Sequence, residues 1–311
     1  MSKYCFGIDV GGTSVKCGFF SEEGVALDKW EIDTRTEDNG SHILPDIAAT
    51  ILAKIKEKNI SKEDVLGIGI GIPGPVNENG CVPCAVNLHW GYVDVEGELI
   101  YLSGIPVKAG NDANVAALGE AWKGGGAGSR SMIMVTLGTG VGGGIIIDGK
   151  IVPGFHGAGG EIGHVHIDDS ITDPCNCGNC GCLEQLTSAT GIARLAREEL
   201  AASTDDSVLR GRERITAKHV FNAVKEGDAL AIRVAERFGV YLGKALAIFS
   251  CVVDPQVIVI GGGVSKAGPI LFDFIAKNYR KYTFAPCRDT QFALAMLGND
   301  AGIYGAAKLV C

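Results

Sequence analysis

Four cysteines fall within eight residues of this chain, in the segment "DPCNCGNCGCLEQ" (residues 173–185). They are Cys175, Cys177, Cys180 and Cys182. Thiols this close in sequence are poor disulfide partners for one another, because a disulfide needs a Cβ separation that near neighbours rarely reach. Thiolates are instead good ligands for soft cations. The spacing therefore predicts a metal site, with a free-standing nucleic-acid ribbon or four unrelated buried thiols as the alternatives.

Two glycine-rich turns have the composition of a phosphate cradle. The first lies in "DVGGTS" (residues 9–14) and the second in "LGTGVGGG" (residues 137–144). Each would present backbone N–H groups with no side chain in the way, which is how proteins hold a polyphosphate. Asp9 precedes the first turn, where a carboxylate can orient a hydrated magnesium ion, and Thr13 and Thr139 lie within the turns. Glycine hairpins are also common as plain turns, and neither stretch has the G-x-x-x-x-G-K-[ST] pattern of a Walker loop.

A candidate acidic group, Asp112, follows the apolar stretch "IPVKAG" and opens a predicted helix. A carboxylate at such a strand end would project into a cleft. Aspartate is also a favoured helix N-cap residue, because its side chain accepts the orphan N–H groups of the first turn. The two roles can coexist, and the residues alone leave both open.

Around these groups the chain alternates strand-like and helix-like segments. Each glycine turn connects two strands, so the same hairpin occurs twice, in residues 4–20 and 133–150. Apolar periodicity predicts further strands at 65–72 and 257–260 and helices at 113–122 and 229–253. The 45 glycines fall at the ends of apolar runs, where we expect turns, because glycine inside a strand is entropically costly. The pattern predicts two related α/β halves.

The composition is that of a globular protein that handles a small molecule. Hydrophobic residues make up 46% and charged residues 21% of the 311 residues, enough for a sizeable core. The net charge of -8 argues against a nucleic-acid partner. The first residues, "MSKYCFGIDV", lack a secretory pattern, and no stretch approaches the roughly 18 apolar residues of a membrane-spanning helix. We expect neither export nor membrane insertion.

The remaining cysteines show no ligand spacing apart from the pair in "CVPC", which we interpret as loop or core thiols. They are Cys5, Cys17, Cys81, Cys84, Cys251, Cys287 and Cys311. An odd total of 11 cysteines, in a chain far larger than a disulfide-stapled domain, predicts reduced thiols. Reduced thiols in turn indicate the cytoplasm.

Seven motifs follow one another along the chain and together resemble a known family. They are "DVGGT", "GIPGPV", "NDANVAALGE", "TLGTGVGGG", "GEIGH", "CNCGNCGCLE" and "VIGGGV". From end to end, the chain resembles the ROK family of sugar kinases and repressors, and most closely its bacterial glucokinases. The resemblance implies an actin-like (ribonuclease-H-like) fold in which ATP and sugar meet between two α/β domains. We expect a small N-terminal domain of residues 1–110 completed by 300–311, and a larger domain of residues 111–299 that carries the cysteine loop.

The resemblance also assigns residues to the sugar. Asp112 would be the general base that takes the proton of the reacting hydroxyl, since phosphoryl transfer otherwise asks mainly for alignment and charge neutralisation. Carboxylates and imidazoles suit neighbouring sugar hydroxyls, because they accept or donate hydrogen bonds. The sugar ligands implied by the family motifs are Asn87, Asn111, Asp112, Glu161, His164 and Glu184.

The nucleotide and metal ligands follow from the same resemblance. Residues of the two turns would contact the ATP phosphates and Mg²⁺, and the glycines of "VIGGGV" would lie near the adenosine. These residues are Asp9, Gly11, Gly12, Thr13, Gly138, Thr139, Gly140, Gly142, Gly261, Gly262 and Gly263. The family pattern implies a structural zinc ion on His164, Cys175, Cys177 and Cys182, with Cys180 unused. Zinc would then fix the loop that carries two sugar contacts, His164 and Glu184.

The activity implied is ATP-dependent phosphorylation of a hexose at its 6-hydroxyl, most closely glucose to glucose 6-phosphate in glycolysis. N-Acetylmannosamine, allose and fructose kinases of the family share these motifs and are the alternatives, followed by a non-catalytic sugar-sensing regulator. The family's repressors carry a helix-turn-helix domain before the kinase-like core, whereas "FGIDVGGT" begins at residue 6 here. The resemblance further implies a cytoplasmic homodimer that binds neither nucleic acid nor membrane.

Overall fold

The computed structural model of the chain describes residues 3–311. Its strands are β1 (Tyr4–Val10), β2 (Ser14–Ser21), β3 (Ala26–Asp33), β4 (Val65–Ile72), β5 (Cys81–Val82), β6 (Val93–Asp94), β7 (Val107–Asn111), β8 (Met132–Leu137), β9 (Val141–Ile147), β10 (Lys150–Ile151), β11 (Val257–Gly261) and β12 (Gln291–Leu294). Its helices are α1 (Glu37–Gly40), α2 (Ile43–Glu57), α3 (Val95–Ser103), α4 (Asp112–Lys123), α5 (Glu184–Thr187), α6 (Ala189–Ala202), α7 (Ala217–Lys225), α8 (Ala229–Val253), α9 (Ile270–Tyr282) and α10 (Ala301–Lys308). The strand predicted at 65–72 and the helix predicted at 229–253 are present with those bounds.

Two five-stranded sheets have the same strand order. The first sheet runs β3-β2-β1-β4-β7, with β1 antiparallel to β2 and parallel to β4. The second runs β10-β9-β8-β11-β12, with β11 parallel to both β8 and β12. Each sheet therefore begins with a glycine-turn hairpin and continues through parallel strands. The internal repeat predicted from the sequence is confirmed, and the architecture is the α/β arrangement of the actin-like fold.

Some glycines lie inside strands, which corrects the expectation that they would all occupy turns. Gly7 lies within β1 and Gly69 within β4. A Cβ atom at Gly7 would overlap the carbonyl oxygen of Ile303, and one at Gly69 would overlap that of Ala306. Helix α10 therefore packs against these strands at a backbone-to-backbone distance that only glycine permits. The close packing offsets the conformational entropy that a glycine loses when it is fixed inside a strand.

The chain divides into two compact units. The first consists of the residues up to 128, together with 144–160 and 296–311, and the second of residues 129–143 and 161–295. The sequence-based division at residues 110 and 300 would instead separate α4 from the first unit. Helix α4 stays there because it packs closely against α10: a Cβ at Gly119 would meet the carbonyl oxygen of Ala301.

The core of the first unit forms between the first sheet and α2. Along α2, Ile43, Ile47, Ile51 and Ile55 recur every four residues, so they share one helix face, and all four are buried. They pack with buried strand residues such as Ile68 in one continuous cluster. Burying a side chain of this size stabilises the fold by about 1.5–3 kcal/mol.

Helix α8 provides much of the core of the second unit. Its buried apolar residues also repeat every four positions, namely Leu230, Val234, Phe238, Leu242 and Leu246. Its other face is charged: Arg237 pairs with Glu198 at 2.7 Å. Across residues 3–311, no helix has both the length and the apolar character needed to cross a membrane.

Cys5 and Cys311 form a disulfide, with their Cα atoms 6.6 Å apart. The expectation that all cysteines outside the loop would be reduced and unpaired is therefore wrong for these two. The pairing follows from the packing of α10 against β1, which brings the last residue to the start of the first strand. Because 306 positions separate the two cysteines, no local spacing signals the contact. The other nine cysteines in residues 3–311 are free.

Candidate functional site

The first glycine turn connects β1 to β2 and is fixed by a short network of hydrogen bonds. The Gly11 N–H donates to the carbonyl of Ser14 at 2.9 Å. Thr34 donates its hydroxyl to the Gly11 carbonyl at 2.7 Å and its N–H to the Thr13 carbonyl at 3.0 Å. Gly12 and Thr13 remain exposed at the tip of the turn. The turn is thus a rigid, accessible stretch of backbone, as a phosphate cradle requires.

Asn111, and not Asp112, caps the N-terminus of α4. The Asn111 Oδ1 accepts the N–H of Asn114 at 3.1 Å, and its Nδ2 donates to the carbonyl of Gly74 at 3.1 Å. Asp112 is the first helical residue, and its Oδ1 accepts from Asn111 Nδ2 at 3.0 Å and from the Ala113 N–H at 2.8 Å. The capping role left open by the sequence therefore belongs to the neighbouring residue. The Asp112 carboxylate is oriented by two donors at the end of β7.

Asp9 lies at the end of β1, in the same unit as Asp112. Burial raises the pKa of the Asp9 carboxyl, the positive charge of Lys16 lowers it, and the negative charge of Asp112 raises it further. The two carboxylates therefore interact electrostatically. Carboxylate oxygens are the ligands that Mg²⁺ prefers in proteins. The residues present fit a magnesium ion.

Asn87, the least defined of the sequence-predicted site residues, lies beside the first turn. It occupies the 3₁₀ turn Val86–Leu88. A Cβ placed on Gly12 would be 3.5 Å from the Asn87 carbonyl oxygen and 3.8 Å from the Asn87 Cβ. The structure therefore brings Asn87 next to the turn although 75 positions separate it from Gly12.

A cavity of about 580 Å³ opens in the first unit next to Asn111. Its lining includes Pro75, Glu96, Asn114 and His156. Glu96 is held in place because it accepts the Ala109 N–H at 2.9 Å, and the buried Asn114 Oδ1 has no hydrogen-bond partner. These lining residues are not recognisable in the sequence, because their only local signal is proximity to the "NDAN" and "GIPGPV" motifs.

The second glycine turn lies between β8 and β9, and residues from the segment after the cysteines hold it. Within the turn, the Gly138 N–H donates to the Gly140 carbonyl at 3.0 Å. The Ala189 N–H donates to the Gly138 carbonyl at 2.8 Å. Gly142, predicted as a nucleotide contact, lies within β9, where a Cβ would approach the hydroxyl of Thr136.

The predicted metal ligands converge in the second unit. His164, Cys175, Cys177 and Cys182 place one ligand atom each within 4.8 Å of one another. The Cys177 and Cys182 sulfurs are 3.6 Å apart, and the Cys175 sulfur is 3.8 Å from His164 Nδ1. A tetrahedral zinc ion with Zn–S bonds of about 2.3 Å requires S···S separations of about 3.8 Å. One nitrogen and three sulfurs at these distances fit zinc.

Cys180 lies outside the cluster, and this agrees with the family motif, which leaves Cys180 unused. Its thiol donates to the carbonyl of Thr172 at 3.2 Å. The loop reverses direction through two glycines with left-handed backbone, Gly178 with φ of 90° and Gly181 with φ of 69°. These two positions allow cysteines on both sides of each glycine to point in different directions.

The thiols of the cluster are not uniformly acidic. Burial raises the pKa of Cys182 to about 12 and also raises that of Cys175, whereas the backbone N–H of Asn179 lowers the pKa of Cys177. In the metal-free protein the two buried thiols are therefore protonated at neutral pH. Metal binding would displace these protons, because thiolates and not thiols are the ligands.

The three sugar ligands predicted in this unit differ in their surroundings. Glu161 is exposed and precedes the 3₁₀ turn Ile162–His164. His164 directs Nδ1 toward the cluster, 3.8 Å from the Cys175 sulfur and 3.9 Å from Glu184 Oε1. Glu184 begins α5 and is mostly buried, with its side chain 17% exposed. The arrangement leaves Nε2 as the His164 nitrogen on the side away from the cluster.

A second cavity, of about 430 Å³, lies beside the "GGG" motif that follows β11. Its lining includes Thr216, Phe221 and Lys225 from the α7 region, together with Gly263 and Lys266. Gly262 adopts a φ of 80°, and a Cβ there would overlap the backbone of Leu137. Of the three predicted glycines, Gly263 lines this cavity, and Gly261 and Gly262 directly precede it in the chain. The contribution of α7 was missed, because the amphipathic pattern "AKHVFNAVK" is equally typical of any surface helix.

The chain is similar in sequence and structure to several known proteins. The chain is 42% identical to a glucokinase of Halalkalibacterium halodurans, over 99% of this chain and 95% of that relative. It is 37% identical to a glucokinase of Thermotoga maritima, over 98% of this chain and 96% of that relative. Among solved structures it is similar to a ROK family glucokinase from Streptomyces griseus in complex with glucose and AMPPNP, with a TM-score of 0.71, 32% identity and 99% of both chains covered. Since residues 5–311 match the ROK family as a whole, the chain belongs to the ROK family.

Proposed function

We propose that this chain is a sugar kinase that transfers the terminal phosphoryl group of ATP to the 6-hydroxyl of glucose, giving glucose 6-phosphate and ADP. The whole-length similarity to two relatives described as glucokinases supports the sugar and the donor. The geometry around Asp112 supports the chemistry, because the carboxylate is oriented by two donors at the head of a helix.

Asp112 acts as the general base. It accepts the proton of the 6-hydroxyl as the hydroxyl oxygen attacks the terminal phosphorus of ATP, and the bond from that phosphorus to the bridging oxygen of ADP breaks. Asn111 and Asn87 hold sugar hydroxyls in the first unit. Asp9 would hold the magnesium ion that accompanies ATP, and the positive charge of that ion would neutralise the phosphate oxygens. Because Asp9 and Asp112 repel each other electrostatically, a cation near them stabilises both in the ionised form.

In the second unit, Glu161, Glu184 and His164 provide hydrogen-bonding groups for the remaining sugar hydroxyls. His164 presents Nδ1 to the metal and Nε2 to the sugar, so that one imidazole serves both. A zinc ion held by these four ligands would be structural, because it would have no open coordination position. The glycine turns hold the phosphates, and the cavity beside Gly263 holds the adenosine.

We also propose a cytoplasmic homodimer. Nine of the eleven cysteines in the described residues are free, which fits a reducing compartment even though one disulfide is present. Exposed apolar side chains lie toward the ends of the packed helices α8 and α9, including Val252, 82% exposed, and Phe284, 64% exposed. Two copies of this surface would bury each other, since large exposed apolar groups mark interaction surfaces.

A coupled assay of ADP release, run with ATP and a panel of sugars, tests the proposal. Glucose is expected to give the highest kcat/KM against N-acetylmannosamine, allose and fructose, and ³¹P NMR should place the phosphate on the 6-oxygen. A higher kcat/KM for N-acetylmannosamine than for glucose would identify N-acetylmannosamine as the preferred substrate. Sugar binding with no ADP release on any sugar would identify a regulator without turnover.

A further inference from the structure

The segment directly after the cysteine cluster holds the second glycine turn. Three hydrogen bonds join residues 184–190 to residues 138–141, and they involve a side-chain carboxylate, a backbone N–H and a hydroxyl. They are Val141 N–H to Glu184 Oε2 at 3.2 Å, Ala189 N–H to the Gly138 carbonyl at 2.8 Å, and Thr190 Oγ1 to the Thr139 carbonyl at 2.9 Å. One short stretch of chain therefore fixes both sides of the turn.

Glu184 lies against the turn at close range. A Cβ placed on Gly140 would collide with Glu184 Oε2, whereas a Cβ on Gly138 would meet only the Gly140 carbonyl oxygen, at 4.0 Å. A side chain at position 140 would therefore displace the Glu184 carboxylate from its place against the turn. This effect is distinct from the access to phosphate that the sequence suggested.

The other carboxylate oxygen reaches the metal-binding cluster. In the metal-free protein the Cys175 thiol donates to Glu184 Oε1 at 3.1 Å. A metal ion would replace that thiol proton, so in the loaded protein the cluster would hold Glu184 through the backbone. The backbone connects them as well, because Glu184 follows Cys182 by two positions and the Leu183 N–H donates to the Val165 carbonyl at 2.9 Å. The side chain of Glu184 thus spans from a candidate metal ligand to the first residue after the turn.

We propose that Glu184 is a positioning residue for the nucleotide: it transmits the order of the cysteine loop to the turn, so that affinity for ATP depends on Glu184 and on metal loading even when no sugar is bound. The inference rests on the proposed function in that it takes the turn to be phosphate-binding. Backbone N–H groups bind phosphate well only when their directions are fixed beforehand. Loosening the carboxylate would let the turn fluctuate and weaken binding.

Nucleotide affinity measured without sugar separates this role from the sugar contact proposed for the same residue. Loss of a sugar ligand alone cannot change a nucleotide dissociation constant when sugar is absent. Glu161 is the matched control, because it is the other carboxylate assigned to the sugar in this unit. Its side chain makes no hydrogen bond to the turn within the described part of the chain.

The test measures the dissociation constant of Mg-AMPPNP for the whole chain by isothermal titration calorimetry. Wild type, E184A, E184Q and E161A are compared, together with wild type stripped by a chelator before and after zinc is restored. E184A and the stripped protein should bind about tenfold more weakly, the scale of losing a hydrogen bond to a charged group. E184Q retains an acceptor for Val141 and should recover part of the affinity, while E161A should bind as wild type does.

Hydrogen exchange without any ligand provides a second readout. The Val141 amide should exchange faster in E184A and in the stripped protein, and zinc should restore its protection. Unchanged affinity and unchanged exchange in E184A would overturn the proposal. If E184A does not fold, the stripped wild type decides in the same way. A wild type that binds no AMPPNP would refute the proposed function instead, whereas an active wild type with an unaffected E184A refutes the coupling alone.

Discussion

The fully buried carboxylate of Glu120 accepts the backbone N–H of Leu297 at 2.8 Å. It also accepts the N–H of Met296, at 3.1 and 3.0 Å from its two oxygens, and that of Gly125 at 2.7 Å. Within the first unit, one side chain thus ties together the segment before residue 128 and the segment that begins at residue 296.

Replacing Glu120 with alanine should therefore destabilise the protein strongly. The change leaves three backbone donors without their acceptor and opens a cavity, which together should lower the free energy of unfolding by about 3 kcal/mol. Urea denaturation followed by circular dichroism measures the loss. Glu213 is exposed, and E213A should remain within about 0.5 kcal/mol of wild type. Equal stability of E120A and E213A would contradict the argument.

D112N should abolish turnover while preserving the fold. Asparagine retains an oxygen that can accept from Asn111 and Ala113, but it cannot take up the proton of a hydroxyl. We expect kcat to fall by about 10²–10⁴-fold with KM for glucose changed only a few-fold. Steady-state kinetics with varied glucose gives both parameters. A comparable change in KM with little loss of kcat would assign Asp112 to sugar binding alone.

D9N should stabilise the protein at neutral pH and impair catalysis. Because the pKa of Asp9 is raised above its ordinary value of 3.8 by burial, the folded state holds a proton more tightly than the unfolded chain. Asp9 therefore favours folding most below pH 3.8, and this contribution is lost as the pH rises through the folded-state pKa. At pH 7 the buried, ionised carboxylate lowers the free energy of unfolding, and replacing it with the neutral asparagine removes this effect.

Thermal unfolding of the ligand-free protein from pH 3 to pH 8 tests this. The melting temperature of D9N should exceed that of wild type at pH 7, and the difference should shrink as the pH falls toward 3.8. Activity with saturating Mg-ATP should decrease. A D9N protein that is less stable than wild type at pH 7 would show that the charge is compensated by contacts other than those described.

Zinc content should distinguish Cys177 from Cys180, which lie three positions apart. Cys177 belongs to the four-residue cluster, whereas Cys180 donates to Thr172. Elemental analysis of purified protein should find about one zinc per chain in wild type and in C180S, and much less in C177S. A chelator should lower the melting temperature of wild type and C180S, because metal binding contributes to folding. Full zinc occupancy in C177S would exclude it as a ligand.

The sequence predicted those parts of the fold that local patterns determine. Helix α8 was located to the residue, because its apolar positions repeat every four residues over 25 positions. The two hairpins were located because glycine turns interrupt β-branched runs. The metal cluster was predicted because three of its four ligands lie within eight residues, so the family motif alone contains nearly the whole site.

Contacts between distant residues could not be predicted in this way. The disulfide between Cys5 and Cys311 joins positions 306 apart, and Asn87 lies beside Gly12 although 75 positions separate them. The sequence left open whether Asp112 caps α4, and Asn111 caps it instead, because both are good capping residues and only the backbone conformation selects one.

Helix α10 has a consequence for how the protein is made. Its backbone lies directly on β1 and β4, yet it is synthesised some 290 residues after β1. The second unit is translated completely before α10 is synthesised. It can therefore fold while the first sheet still lacks the helix that packs on β1 and β4. Nascent chains should therefore expose the glycine-lined face of that sheet until α10 has been synthesised, and this interval is when chaperones would be needed.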